Sequence, residues 1–332
     1  MDDTPSQGAI AEPQPAGVRA LDLAVWQPGW RRVAVVGASK NAGKTTALNA
    51  LCAAVAQRGE RAGIVSIGVD GEAFDAWLDI PKPRVRVEKG TLVITAEACV
   101  AASGGLLRTV GSAGFGSALG PTVLAEARGP GGVQLCGVPH RQHLVTAVAA
   151  LQAAGASRIL VDGAYHRQAA AHADVADAIV VSVGAVLGED AREAAHRAAV
   201  TLAALATPAG GVETASGVLD VEGALADHWL DRHLGHGVRV LRVEGPSRVL
   251  LSETGRARLL AAGIAITARR PLPVVAVTSN PRRPGGTDDD GAVLQAEVAA
   301  VLVRLGIEAP VIDVVRGTVV QGLGATVKRR NA

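Results

Sequence analysis

The sequence predicts an α/β fold, a mostly parallel sheet flanked by helices, on three observations. Strand-like and helix-like patterns alternate along most of the chain. Short runs rich in Val and Ile, at 33–36, 64–67, 158–161 and 178–181, read as strands buried on both faces, as parallel strands are. The residues are 48% hydrophobic but only 2% aromatic, so Ala, Val, Leu and Ile must fill the core, which suits small-residue helices packed on such a sheet.

Taken in order, residues 1–30 are rich in Pro, Gly, Gln and Ala and read as a flexible N-terminal tail, with Trp26 and Trp30 near its end. From Arg32 the pattern is strand (Val33 to Val36), Gly-rich loop (Gly37 to Thr45), helix to Arg58, then strand Ile64 to Ile67, a βαβ unit of ordinary size. A hairpin or strand pair is expected over Arg84 to Thr95, turning at Lys89-Gly90, followed by a glycine-rich stretch of mixed character from Gly104 to Gly120. Next come a strand at Val133 to Cys136, a helix from Arg141 to Ala153, strands at Arg158 to Val161 and Ala178 to Val181, and a helix from about Glu189 to Leu205.

The run Thr207-Pro208-Ala209-Gly210-Gly211 is the best boundary signal, dividing a nucleotide-binding domain at 31–206 from a C-terminal α/β region at 207–332. Beyond it the pattern predicts helices at Leu225 to Leu234, Glu253 to Ala262 and Ala292 to Leu305, and strands at Val238 to Val243, Val274 to Thr278 and Val311 to Val314. Because the units still alternate, this region either extends the first sheet or forms its own domain.

Charge is nearly balanced, 33 basic against 31 acidic residues, with no basic block or aromatic-interleaved basic stripe, which argues against a nucleic-acid partner. The three cysteines, Cys52, Cys99 and Cys136, include no Cys-x-x-Cys and fit a reducing compartment. The acidic opening Met1-Asp2-Asp3-Thr4 lacks an apolar segment behind it, and no uninterrupted apolar run reaches the roughly 18 residues of a membrane span. A soluble, cytoplasmic protein with no membrane partner is expected.

The chemistry concentrates in Gly37-Ala38-Ser39-Lys40-Asn41-Ala42-Gly43-Lys44-Thr45-Thr46. A bound triphosphate needs converging backbone N–H groups, a helix N-terminus, an ammonium at the β/γ position and a hydroxyl on Mg²⁺. Gly43 allows close backbone approach, Lys44 supplies the charge, Thr45 is the Mg²⁺ ligand, and Ser39 and Asn41 offer polar groups to phosphate oxygens. The loop is a deviant P-loop, and with it the fold is expected to be P-loop NTPase-like, of the SIMIBI-like type. Where the standard motif has its first glycine this chain has Ala38, the glycine standing one residue earlier at Gly37. Lys40 is a second lysine within the loop; in deviant loops of dimeric ATPases such a lysine reaches the partner's phosphates, which leaves a homodimer open, as it leaves a solvated lysine.

Such a site also needs a carboxylate at a neighbouring strand end, and Asp162, closing the run Ile159 to Val161 ahead of Gly163, has that form. Asp70 and Glu72 follow the second strand, where a side chain can orient the attacking water; a Gly/Asp-rich turn would look the same. Arg167 can meet a phosphate or pair with Asp162. Asn280, in Thr278-Ser279-Asn280-Pro281 at another strand end, is a candidate reader of the base edge or part of a turn. The guanine-reading Asn-Lys-x-Asp motif is absent, which favours ATP over GTP. Cys136, His140 and His143 have the spacing of partial zinc ligands but lack a fourth ligand, and a helix start after Pro139 is the preferred explanation.

The loop from Gly37 to Thr45, Asp70-Gly71-Glu72, Asp162-Gly163-Ala164 with Arg167, and Thr278 with Asn280-Pro281 together resemble the P-loop proteins encoded beside adenosylcobalamin-dependent lysine 5,6-aminomutase. The resemblance covers roughly residues 32–317 and departs at Val69, where arginine is expected before Asp70. It implies the nucleotide-binding subunit of a system that reactivates the mutase, with the aminomutase or its accessory subunit as partner. An Mg²⁺-dependent ATPase that drives a conformational change in that partner is the reading carried forward. There Lys44, Asp70 and Asp162 serve the chemistry, and Thr45 and Asp162 hold the metal. An ATP-dependent ligase or kinase on a small molecule, and a non-hydrolysing ATP-binding regulatory subunit, stand as alternatives.

Overall fold

The computed structural model describes residues 12–67, 84–163, 170–210, 217–283 and 290–320. Helix α1 (Pro15–Val25) precedes β1 (Arg32–Gly37), α2 (Lys44–Gln57) and β2 (Ala62–Ser66). Then come β3 (Val85–Val87), β4 (Leu92–Ala96), α3 (Glu97–Ala101), the hairpin of β5 (Leu107–Ser117) and β6 (Gly120–Ala127), and β7 (Gly131–Val133). Helix α4 (Arg141–Ala153) leads to β8 (Arg158–Asp162), β9 (Ala178–Gly184) and α5 (Ala191–Leu205). A smaller unit follows, made of β10 (Val218–Asp220), β11 (Leu225–Ala226), α6 (Asp227–His233), β12 (Val240–Val243), β13 (Val249–Leu250), α7 (Glu253–Ala261) and β14 (Ala265–Ala268). The chain ends its described course with β15 (Val274–Asn280), α8 (Gly291–Leu305), β16 (Val311–Asp313) and β17 (Thr318–Val320).

The large sheet has ten strands in the order β17-β16-β15-β9-β1-β8-β2-β4-β6-β5. Strands β16 through β4 in that order run parallel, and β17, β6 and β5 are antiparallel additions at the two edges. Period-two alternation splits the core into two layers. Val33 and Val35 of β1 face α1 and α2, while Ala34 and Val36 face α4, α5 and α8. Both faces are thus covered, which explains the unbroken apolar strands. The chain after α5 leaves this sheet to build a three-stranded parallel sheet, β10-β12-β14, around Leu225, Leu230, Leu241 and Leu259. It then returns, and β15 pairs with β9. Among the described residues no helix is long and apolar enough to cross a membrane.

Several expectations need correction. The described part of the expected tail is folded: α1 buries Val18, Leu21 and Val25, and Trp26 packs below the Arg158 guanidinium, 4.9 Å from the ring centroid. Val18, Leu21 and Val25 form an i, i+3, i+7 stripe that the flanking Pro and Gly residues disguise. A Cβ on Gly17 would lie 2.6 Å from the Val314 carbonyl oxygen, so the glycine lets α1 seat against the chain just past β16. Residues 84–95 do not form a hairpin: β3 pairs with β7, whereas β4 joins the large sheet beside β2. The glycine-rich stretch supplies β5 and the turn of the long β5–β6 hairpin. The strand expected at 133–136 ends at Val133, and the Cys136 N–H instead donates to Thr95 Oγ1 at 2.9 Å. The helix expected from Leu225 starts at Asp227, with Leu225 and Ala226 in a strand.

Candidate functional site

The strands around β1 reverse direction of travel across the sheet. From β1 the chain builds outward to β2, returns to β8 directly beside β1, then crosses to β9 on β1's other side. The carboxyl ends of the strands at such a switch point are the usual ligand site of an open parallel sheet. Gly37, Asp162, Gly184 and Asn280 all stand at such ends.

The loop between β1 and α2 is bent by two left-handed residues, Asn41 (φ 60°) and Gly43 (φ 94°). Asn41 is the one non-glycine residue with positive φ among the described residues, a conformation costing roughly 1 kcal/mol or more for an L-residue. Gly43 is the N-cap of α2 and has no side chain with which to cap it. The first-turn N–H groups, those of Lys44, Thr45 and Thr46, therefore have no intrahelical acceptor and stand at the positive end of the helix dipole.

The shifted glycine has a steric explanation. A Cβ on Gly37 would lie 2.9 Å from Lys44 Cγ and 3.0 Å from Lys44 Cδ, so the lysine stem folds back across the strand end where the glycine leaves room. Ala38, at the motif's usual glycine position, is buried, and its N–H donates to the Ser182 carbonyl at 2.8 Å. On the far side Gly184 is equally necessary, since a Cβ there would sit 2.8 Å from Ala42 Cα and 3.3 Å from the Asn41 carbonyl oxygen.

At the end of β8, in register with Val35 of β1, Asp162 Oδ2 accepts from Ser66 Oγ at 3.1 Å, while its Oδ1 is buried without a hydrogen-bond partner. Ser39 Oγ, in the loop, and Ser279 Oγ, on β15, are likewise buried and unpartnered. Buried polar atoms are nearly always paired, so these three are exceptions gathered at one end of the sheet. Deeper, Thr278 Oγ1 donates to Ser182 Oγ at 2.9 Å and ties β15 to β9. Asn280 Nδ2 donates to the Asn41 carbonyl at 3.3 Å, and its Oδ1 accepts from the Arg282 N–H at 3.3 Å.

Of the residues expected from sequence, the structure gathers 37–46, Asp162 and Asn280 at this end of the sheet. Lys40 and Asn41 are exposed, Lys44, Thr45 and Thr46 half-buried, and Ala42 buried. Asp70, Glu72 and Arg167 lie outside the described residues. Ser66, Ser182 and Gly184 were not foreseen; only the small residues closing the run 178–184 hinted at the last two. Among the described residues no three His, Cys, Asp or Glu side chains are placed to hold an ion, Cys136, His140 and His143 included. His143 stacks on Phe115 with ring centroids 4.7 Å apart, and Cys136 is buried beside Ala96 and Cys99.

Fold and site define an α/β protein with a glycine-rich strand–loop–helix at its switch point. Compared with family models, curated proteins and solved structures, the chain matches none.

Proposed function

We propose that this chain is a P-loop NTPase-like protein of the SIMIBI-like type that binds ATP with Mg²⁺ at the carboxyl end of β1. We propose further that it hydrolyses ATP to drive a conformational change in a partner protein. One observation carries the reading: a left-handed glycine caps a helix whose first turn carries Lys44 and Thr45, and the strand paired with β1 ends on a buried carboxylate oxygen that has no partner. An anion at that helix end meets free N–H groups, the dipole and an ammonium together.

In this reading the loop amides from Ala42 to Thr45 bind the β- and γ-phosphates, and the Lys44 ammonium stabilises charge on the transferred group. The fit to Mg²⁺ rests on the donor set, because Thr45 offers a hydroxyl and the orphaned Asp162 Oδ1 a hard anionic oxygen. When bound, Mg²⁺ supplies charge neutralisation between the phosphates. Ser66 holds Asp162 through Oδ2, so Oδ1 is the oxygen that would ligate Mg²⁺. Asp70, which follows β2, is assigned to orient the attacking water. The adenosylcobalamin-dependent aminomutase, or its accessory subunit, is the partner the sequence resemblance suggests, in the cytoplasm, and reactivation is the process it would serve.

Phosphate release from ATP and from GTP, with and without Mg²⁺ and with and without the aminomutase, tests the proposal. Mg²⁺-dependent release from ATP, faster with the mutase and slower from GTP, is the expected result. Tight binding without release in any condition would overturn the hydrolytic part and leave a regulatory subunit.

A further inference from the structure

Asn280 lies 239 residues beyond Asn41 in sequence yet is in direct contact with the loop. Its side chain occupies the space a Cβ on Gly43 would need: that atom would lie 2.8 Å from Asn280 Cβ and 3.2 Å from both Cγ and Nδ2. Its two polar ends face opposite kinds of group. Nδ2 meets the Asn41 carbonyl and Oδ1 meets the Arg282 N–H, so only one orientation of the amide satisfies both. The segment behind it is pinned as well, with Arg283 donating to the carbonyls of Gly188 at 2.8 Å and Glu189 at 2.9 Å.

The carbonyl that Asn280 holds belongs to the strained residue of the loop, Asn41 at φ 60°. A left-handed non-glycine residue persists where its surroundings impose it. From these contacts we infer that Asn280 is a positioning residue: it braces the phosphate-binding loop from β15, holding Asn41 left-handed so that the amides after it converge before any ligand arrives. It acts on the phosphates through the loop and does not read the base. The inference rests on the nucleotide reading above, since a braced loop matters to function only if the loop binds phosphate.

Two probes separate a brace from a base reader, ATP and inorganic tripolyphosphate, which carries no base. Asn280→Ala removes the donor but keeps Cβ against Gly43, and Asn280→Asp keeps the shape while turning a carboxylate toward the Asn41 carbonyl. Both variants are measured in the full chain with Mg²⁺, alongside amide hydrogen exchange, in the ligand-free protein, of Ala38 and Ala47, whose N–H groups bond the Ser182 and Gly43 carbonyls at the two ends of the loop. A brace predicts faster exchange in the loop and a loss of roughly five- to tenfold, the worth of one hydrogen bond, that is the same for ATP and tripolyphosphate. Asn280→Asp should lose more than Asn280→Ala for both.

Loss of ATP affinity with tripolyphosphate affinity unchanged would overturn the inference in favour of base reading. Unchanged exchange with unchanged affinities would overturn it outright. Should the wild-type protein bind neither probe, the nucleotide reading fails, while the exchange measurement still decides whether Asn280 braces the loop.

Discussion

Gly184→Ala is a clean perturbation of the loop, because nothing but space is at stake. Gly184 has φ −111° and ψ 147°, ordinary extended backbone that alanine adopts without strain. The new methyl would lie 2.8 Å from Ala42 Cα, where unstrained carbon contacts need about 3.5 Å or more. One side must give by somewhat under about 1 Å. Gly184 is buried and pairs in register with Asn280 inside the sheet, so the loop is the side that moves. Overpacking of this kind costs about 1–3 kcal/mol, and a misplacement near 1 Å at a reacting centre costs about a hundredfold in rate. The expected outcome is a modest fall in melting temperature, ATP affinity about tenfold weaker and phosphate release slower still. Titration with a fluorescent ATP analogue, thermal denaturation and steady-state phosphate release measure the three. Wild-type affinity and turnover in a folded Gly184→Ala protein would refute the placement of the phosphates at residues 42–45.

Leu21→Ala, in the helix that the sequence disguised as a tail, should destabilise the protein by about 2–4 kcal/mol in urea denaturation, since Leu21 is fully buried; a change within experimental error would show that α1 is dispensable. Arg256 has Nε and Nη2 buried without partners, and burial holds its pKa below the usual guanidinium value, so Arg256→Met should raise the urea midpoint, by about 1 kcal/mol in stability. Burial alone would raise the Asp177 pKa, but Arg32 at 2.5 Å and the N–H groups of Arg31 and Arg32 outweigh it and leave it below the usual carboxylate value. Its contribution to stability is therefore complete above the unfolded-state pKa, about 3.9, and is lost as pH falls through the lower folded value. Asp177→Asn should flatten that part of the stability–pH curve.

The parallel core was legible because its strands carry a signal that neighbours cannot mask. Val33 to Val36, Ile159 to Val161 and Ala178 to Val181 are apolar at every position, as burial on both faces demands. The loop was legible for a similar reason, since Gly43-Lys44-Thr45 between a strand and a helix leaves few other structures. What failed was partner choice. Val85 to Val87 and Leu92 to Ala96 look like two arms of one hairpin around Gly90, and only tertiary pairing sends one to β7 and the other to β2. The return of β15 to β9 across the small unit, which places Asn280 against Gly43, is likewise non-local and leaves no trace in local pattern. The shifted glycine follows from the Lys44 stem lying across Gly37, a contact that no local pattern encodes.

Isothermal titration of the full chain with ATP and Mg²⁺, against Lys44→Ala verified as folded by circular dichroism, tests the central claim most directly. The account predicts one saturable site in the wild-type chain and none in the variant. Equal affinity in the two proteins would contradict it.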